Sequence, residues 1–144
     1  MDNIEHHYMK SAISQLEVAI ELYKSERCYF SCITLAGAAD EVFGKQFNLD
    51  GKTNALERDV EHLSSLLSPA ELSEIGAEKG IRNNLNEPRN VTKHRREDED
   101  FAYFNPKHEA FDLLQRAIEN YLSLTSKATG KIYDFKFEQN PSFT

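Results

Sequence analysis

Apolar residues recur at three- and four-residue steps through most of this chain, and that spacing constrains the fold more than any other feature. The widest stripe is Ala110, Phe111, Leu114, Ala117, Ile118, Tyr121 and Leu124, one face of a helix with 3.6 residues per turn. Ile4, Tyr8, Ala12, Leu16, Ala19 and Tyr23 predict a first helix from Ile4 to Ser25, capped by Asp2 or Asn3. Cys32, Leu35, Ala36, Ala39, Val42, Phe43 and Phe47 predict a second from Arg27 to Phe47. Such faces must be buried against one another. The expectation is an all-α fold, a four-helix up-down bundle with one or two short extra helices. Six glycines and four prolines in 144 residues are too few for a turn-rich β fold.

Local signals mark the joints. Asp50-Gly51 reads as a turn, followed by a short helix from about Asn54 to Leu67 that uses Leu56, Val60, Leu63 and Leu67. Ser68-Pro69-Ala70-Glu71 is a helix start, with Ser68 as cap, Pro69 at the first position and Glu71 completing a capping box. The helix begun there carries Leu72 and Ile75 and is weakened by Gly76 and Gly80, so a bend or break is expected near Gly80. Pro88 has no N–H to give to the helix ladder. A helix over Arg89–Arg96 is expected to restart at it, with Asn86 as a candidate cap.

In Leu35-Ala36-Gly37-Ala38-Ala39 the small residues permit close approach of another helix backbone. Asp40 and Glu41 follow at the border of the buried face, where a carboxylate wants a cationic partner. Arg89 is the candidate for that structural ion pair. Gly130 is expected to stop the last helix. Beyond it Ile132, Asp134 and Lys136 alternate with Tyr133, Phe135 and Phe137, as in a strand-like arm. The domain reading is one bundle over 1–130 and a tail over 131–144.

Size and composition exclude several classes. A chain of this length buries roughly two-thirds of its unfolded surface and needs no staples. No segment approaches the ~20 apolar residues of a membrane span, and the polar start MDNIEHHYMK lacks a secretory pattern. A cytoplasmic protein with no membrane partner is expected. Cys28 and Cys32 lie four apart and read as two small buried hydrophobes on one helix face. No cofactor or metal is expected. Glu5-His6-His7 lacks the HExxH spacing, and His62 and His108 read as surface residues.

Charge is distributed unevenly. Residues 79–96 hold Lys79, Arg82, Arg89, Lys93, Arg95 and Arg96 against Glu87 alone, a local +5 that leaves −12 for the rest of a chain of net charge −7. Glu97-Asp98-Glu99-Asp100 closes the segment. One reading is a solvated helix face beside a solvated loop. The other is a small cationic site suited to a phosphate, in a protein too acidic for indiscriminate nucleic-acid binding.

Within that segment lies Arg89-Asn90-Val91-Thr92-Lys93-His94. These residue types suit RNA cleavage without a metal. Histidine takes a proton from a ribose 2′-hydroxyl, or gives one to the leaving oxygen, near neutral pH. Arginine stabilises charge developing on phosphoryl oxygens. Lys93, Arg95, Arg96 and Arg82 are the candidate substrate-binding cations. Residues five apart on a helix are separated by about 140° around its axis, so one chain does not set Arg89 and His94 on one narrow stripe. Two chains can assemble them around a shallow groove. The alternative is a structural role, with Arg89 paired to Asp40 or Glu41 and His94 bridging helices.

RNVTKH near the start of a late helix in a small helical bundle resembles the HEPN superfamily, and LAGAADEVFGK in the second helix is similar to a segment of small bacterial HEPN-like proteins. The resemblance implies a homodimer with two Arg/His segments facing one another across a cleft. It implies a metal-independent endoribonuclease of a toxin–antitoxin or defence system, or a relative that has lost activity and only binds; the alternative to both is a non-catalytic RNA- or nucleotide-binding module or a dimeric adaptor. His94 would then be the acid/base, Arg89 the phosphate stabiliser and Asn90 the supporting polar residue. A cognate antitoxin or nucleotidyltransferase is the partner class implied. Members regulated by such transferases often carry Tyr two residues after the His. Here Arg96 stands there, so that modification is not expected.

Overall fold

Every regular element of the computed structural model, which describes residues 5–125 and 129–139, is an α-helix. Four are long: α1 (Tyr8–Lys24), α2 (Tyr29–Leu49), α5 (Ala77–Lys93) and α6 (Pro106–Leu124). Three are shorter: α3 (Ala55–Leu66), α4 (Pro69–Glu74) and α7 (Gly130–Gln139). The all-α expectation holds, with three short helices rather than one or two. No helix among the described residues is long and apolar enough to cross a membrane.

The apolar stripes explain the packing. α2 packs most extensively on α1 and α6, and takes α5 on a further side. Ala12, Leu16, Ala19 and Ile20 of α1 meet Cys32, Ile33, Ala36, Ala39 and Phe43 of α2, and Ala110, Leu114, Ala117 and Ile118 of α6, in one continuous core. Each fully buried Leu, Ile or Phe contributes about 1.5–3 kcal/mol. The expected caps at Asp2 and Asn3 lie outside the described residues. α1 instead begins after His7, whose ring nitrogen accepts from the Met9 N–H.

The joint between α4 and α5 falls earlier than Gly80. Gly76 and Ala77 both have positive φ, +82° and +59°, and the chain turns there. Gly80 is needed for another reason: a Cβ on it would lie 1.5 Å from the Ile75 carbonyl oxygen. The capping box is formed as read, Ser68 with Glu71, and Gly51 takes φ +68° in its turn.

The strand-like tail is overturned. Gly130 does not stop α6, which ends at Leu124, and α7 begins at Gly130. Ile132 and Phe135 are fully buried, with the Phe135 ring edge-on to Tyr23 at 5.7 Å and beside Phe111 at 6.4 Å. Residues 132 and 135 are three apart, so the alternation also fits a helix face. A lone strand would have left its backbone groups unpaired, whereas a helix satisfies its own. Residues 140–144 of the expected arm lie outside the described residues.

Cys32 is buried, and burial pushes its thiol up to about 12. Cys28 is half-buried rather than buried. It caps α2, its Sγ accepting from the Ser31 N–H at 3.4 Å.

Candidate functional site

α5 carries the basic segment, and its construction sets where each cation goes. Pro88 does not restart a helix. α5 runs unbroken from Ala77 to Lys93 with Pro88 buried inside it. The lost N–H is one defect in a helix otherwise held by tertiary packing. Asn86, expected as a cap, is buried within the helix. α5 ends one residue before His94, which has extended backbone (φ −130°, ψ 121°) and donates its N–H to the Asn90 carbonyl at 3.0 Å.

Asn86 serves a buried polar network that the sequence reading missed. Arg116 of α6 donates from Nε to Asp40 Oδ2 at 3.0 Å and from Nη2 to Asn86 Oδ1 at 2.9 Å. Asn120 donates Nδ2 to Asp40 Oδ1 at 2.8 Å, and its own Oδ1 accepts the Ala55 N–H at 2.8 Å. Asn54, also buried, caps α3 through Glu57 N–H. The network joins α2, α5, α6 and the start of α3. All four side chains of its centre are at most 9 % exposed, where an unmatched charge is costly. Its signal was present: Arg116 and Asn120 are four apart beside the apolar face of α6.

Asp40 therefore has its cationic partner, but that partner is Arg116 and not Arg89. Glu41 pairs with Lys45 one turn along α2, at 3.6 Å. The expected bridge from Arg89 to either carboxylate is not formed. The reason is geometric: α6 lies directly on α2, and Arg116 already occupies the Asp40 carboxylate.

Arg89 is placed differently. Its aliphatic stem lies over Gly37, where an added Cβ would meet Arg89 Cγ and Cδ at 2.5 Å. The small residue in α2 thus makes room for an arginine side chain, not for a helix backbone. Arg89 is half-buried and makes no ion pair among the described residues. It lines two clefts. One, of about 180 Å³, also has Asp40, Glu41, Asn86 and Asn120 in its wall. The other, of about 400 Å³ between α5 and α6, is rich in acids, with Asp59, Glu109, Asp112 and Glu119 around it. Burial, then the neighbouring Glu119, raises the Asp59 carboxyl above its ordinary range.

His94 opens on a third cleft, of about 320 Å³, shared with Lys93, Arg95, Arg96 and Phe101. Arg89 is not in its wall. A single chain therefore does not bring Arg89 and His94 together in one pocket, in line with their angular separation. Asn90 is exposed beside them. Thr92 locks this end of α5 to α2, donating to the Arg89 carbonyl at 2.9 Å and meeting the Thr34 hydroxyl at 3.4 Å.

The other cations are largely committed. Arg82 makes a two-pronged bridge to Glu57, both contacts at 2.7 Å, and so binds α5 to α3. Arg95 bridges to Asp100 at 2.6 Å. Arg96 bridges to Glu87 and, at 3.3 Å, to Glu99. Part of the acidic run is thus folded onto the arginines that precede it. Lys93 is exposed in the last turn of α5, where a cation complements the helix dipole, and makes no ion pair among the described residues. His62 and His108 are exposed, as expected, with His108 3.4 Å from Asp112.

No family model, curated protein or solved structure matches this chain.

Proposed function

We propose that this chain is a HEPN-like, metal-independent endoribonuclease that works as a homodimer. Its site is built from Arg89, Asn90 and His94. The observation that carries this reading is the contrast among the basic residues from Arg82 to Arg96. Arg89, half-buried and seated over Gly37, His94, exposed just past the end of the helix, and Lys93 make no ion pair among the described residues, while Arg82, Arg95 and Arg96 do. A half-buried arginine that is held in no ion pair is available to a phosphate. An imidazole at the mouth of a cleft can exchange protons with a substrate.

In this mechanism His94 removes the proton from a ribose 2′-hydroxyl. The resulting oxygen attacks the adjacent phosphorus to form a 2′,3′-cyclic phosphate, and the bond from phosphorus to the 5′-oxygen breaks as His94 passes the proton it took to that leaving oxygen. Arg89 stabilises the charge that gathers on the phosphoryl oxygens, and Asn90 orients the phosphate. Arg89 and His94 face different clefts of one chain, so the composite site draws one residue from each subunit. Lys93 is a substrate-binding cation without an ion pair among the described residues, with Arg95 and Arg96 reachable by exchange of their carboxylate partners. A toxin–antitoxin or defence setting, with a cognate antitoxin or nucleotidyltransferase as partner, follows from the same resemblance.

One observation favours a second reading, a non-catalytic module that binds RNA or a nucleotide, or serves as a dimeric adaptor. In one chain the two motif residues stand apart, and the acids around Arg89 suit a structural surface as well as a catalytic one. The test is cleavage of RNA in excess EDTA by the protein and by His94→Ala purified identically. Cleavage that falls by about 10²–10⁴-fold in the variant, with RNA binding retained, supports the nuclease. Binding without cleavage by either protein supports the module.

A further inference from the structure

The loop between α5 and α6 presents two large aromatic side chains that the fold does not use. Phe101 is 74 % exposed and Tyr103 91 %. The loop is tethered on both sides of Phe101. Before it, Asp100 and Glu99 are tied to Arg95 and Arg96, at 2.6 and 3.3 Å. After it, Phe104 packs edge-on to Phe30, with ring centroids 6.2 Å apart. Phe30 lies one helical turn before Thr34, whose hydroxyl meets Thr92 of α5. Phe101 lies between these two tethers and lines the cleft that holds Lys93 and His94.

We propose that Phe101, with Tyr103 beside it, is a stacking platform for an unpaired RNA base, and that this loop restricts the His94 site to single-stranded RNA. The inference rests on the nuclease reading of His94. Cations interleaved with exposed aromatics are what a single strand requires: phosphates meet the cations and base faces meet the rings. In a duplex the base faces are covered, and side chains meet mainly phosphates and 2′-hydroxyls. The rest of the loop sharpens the choice. Glu97 and Asp98 are exposed and make no ion pair among the described residues. They repel the two dense phosphate rows of a duplex. A single strand has lower charge density and a rotatable backbone, so it can turn its phosphates toward Lys93 while a base covers Phe101.

The experiment uses the full chain carrying His94→Ala, so that binding is read without cleavage. The probes are a fluorescein-labelled unstructured RNA and the same RNA annealed to its complement. The expected result is single-strand binding at least tenfold tighter than duplex binding, with Phe101→Ala/Tyr103→Ala weakening only the single strand, by about tenfold or more. Phe101→Tyr should bind like the parent, because the ring is kept. Equal affinity for both RNAs, or no effect of the double substitution, overturns the inference. So does a change of oligomeric state in Phe101→Ala/Tyr103→Ala by sedimentation, which would assign the rings to a contact between copies of the chain. If the His94-competent protein still cleaves RNA and the aromatic variants cleave both forms alike, the nuclease reading stands and this one fails. If no RNA binds or is cut, both fail.

Discussion

Arg116 and Arg89 both reach α2 from neighbouring helices, and the molecule treats them in opposite ways. Arg116 is 9 % exposed, and its guanidinium is matched by Asp40 and Asn86. Arg89 is half-buried, its stem rests on Gly37, and it makes no ion pair among the described residues. A cation enclosed among apolar side chains must be matched, because an uncompensated buried charge costs several kcal/mol. A cation at a cleft wall keeps water around part of its head and need not be matched. The first arrangement fixes helices against one another. The second leaves a charge available for something that arrives.

The contrast can be broken at several points. Removing one member of the buried set, by Asp40→Ala or Arg116→Ala, should cost about 3–5 kcal/mol of stability, read by chemical denaturation. A cost below about 1 kcal/mol would mean that the network is not a structural hub. Replacing both together should cost less than the two single changes added, since no charge is left stranded.

Gly37→Ala separates stability from function. The new methyl would stand 2.5 Å from the Arg89 stem, a clash of about 1–3 kcal/mol. Helix propensity returns about 1 kcal/mol, so the net cost should be no more than about 2 kcal/mol, read as a fall in melting temperature of at most a few degrees. RNA cleavage should fall sharply because Arg89 is displaced. Unchanged cleavage would detach Arg89 from the site.

The bridge between α5 and α3 gives a smaller effect with a defined pH dependence. Hydrogen bonding from Arg82 holds the Glu57 carboxyl below its ordinary value of 4.5. A carboxyl lowered on folding adds stability that is full above pH 4.5 and lost as pH falls through its folded value. Both side chains are about one-third exposed, so the contribution is about 0.2–1 kcal/mol after solvent screening. Glu57→Gln should remove that part of the acid destabilisation. Arg89→Ala loses the packing of its stem on Gly37 but strands no buried charge, so it should cost no more than about 1 kcal/mol, well below the cost at Arg116. A larger loss would place Arg89 with Arg116 as a structural cation.

Much of the fold was legible because helix faces and caps are local. The three- and four-residue steps located α1, α2 and α6, and Ser68-Pro69-Ala70-Glu71 marked the start of α4. The failures came where a local signal competes with packing. Pro88 reads as a helix boundary, yet tertiary contacts carry α5 through it. Ile132 to Phe137 alternates like a strand, yet two residues three apart find a hydrophobic seat and the segment coils. The need of Asp40 for a cation was readable. Which cation supplies it was not, because Arg116 lies 76 positions away and only the packing of α6 on α2 selects it. In the basic segment the charges were countable, but their partners were set by the folding back of the acidic run.

The central claim is a nuclease site assembled from two chains, and mixing two inactive variants tests it most directly. Arg89→Ala and His94→Ala are each expected to lose RNA cleavage in EDTA. Refolded together from denaturant, randomly paired subunits form mixed dimers half the time. In a two-fold dimer that draws Arg89 from one chain and His94 from the other, each mixed dimer has one intact site. Recovery of about a quarter of the wild-type rate is expected under this symmetry. An active wild type whose two variants stay inactive after mixing, while sedimentation shows mixed dimers, would contradict it.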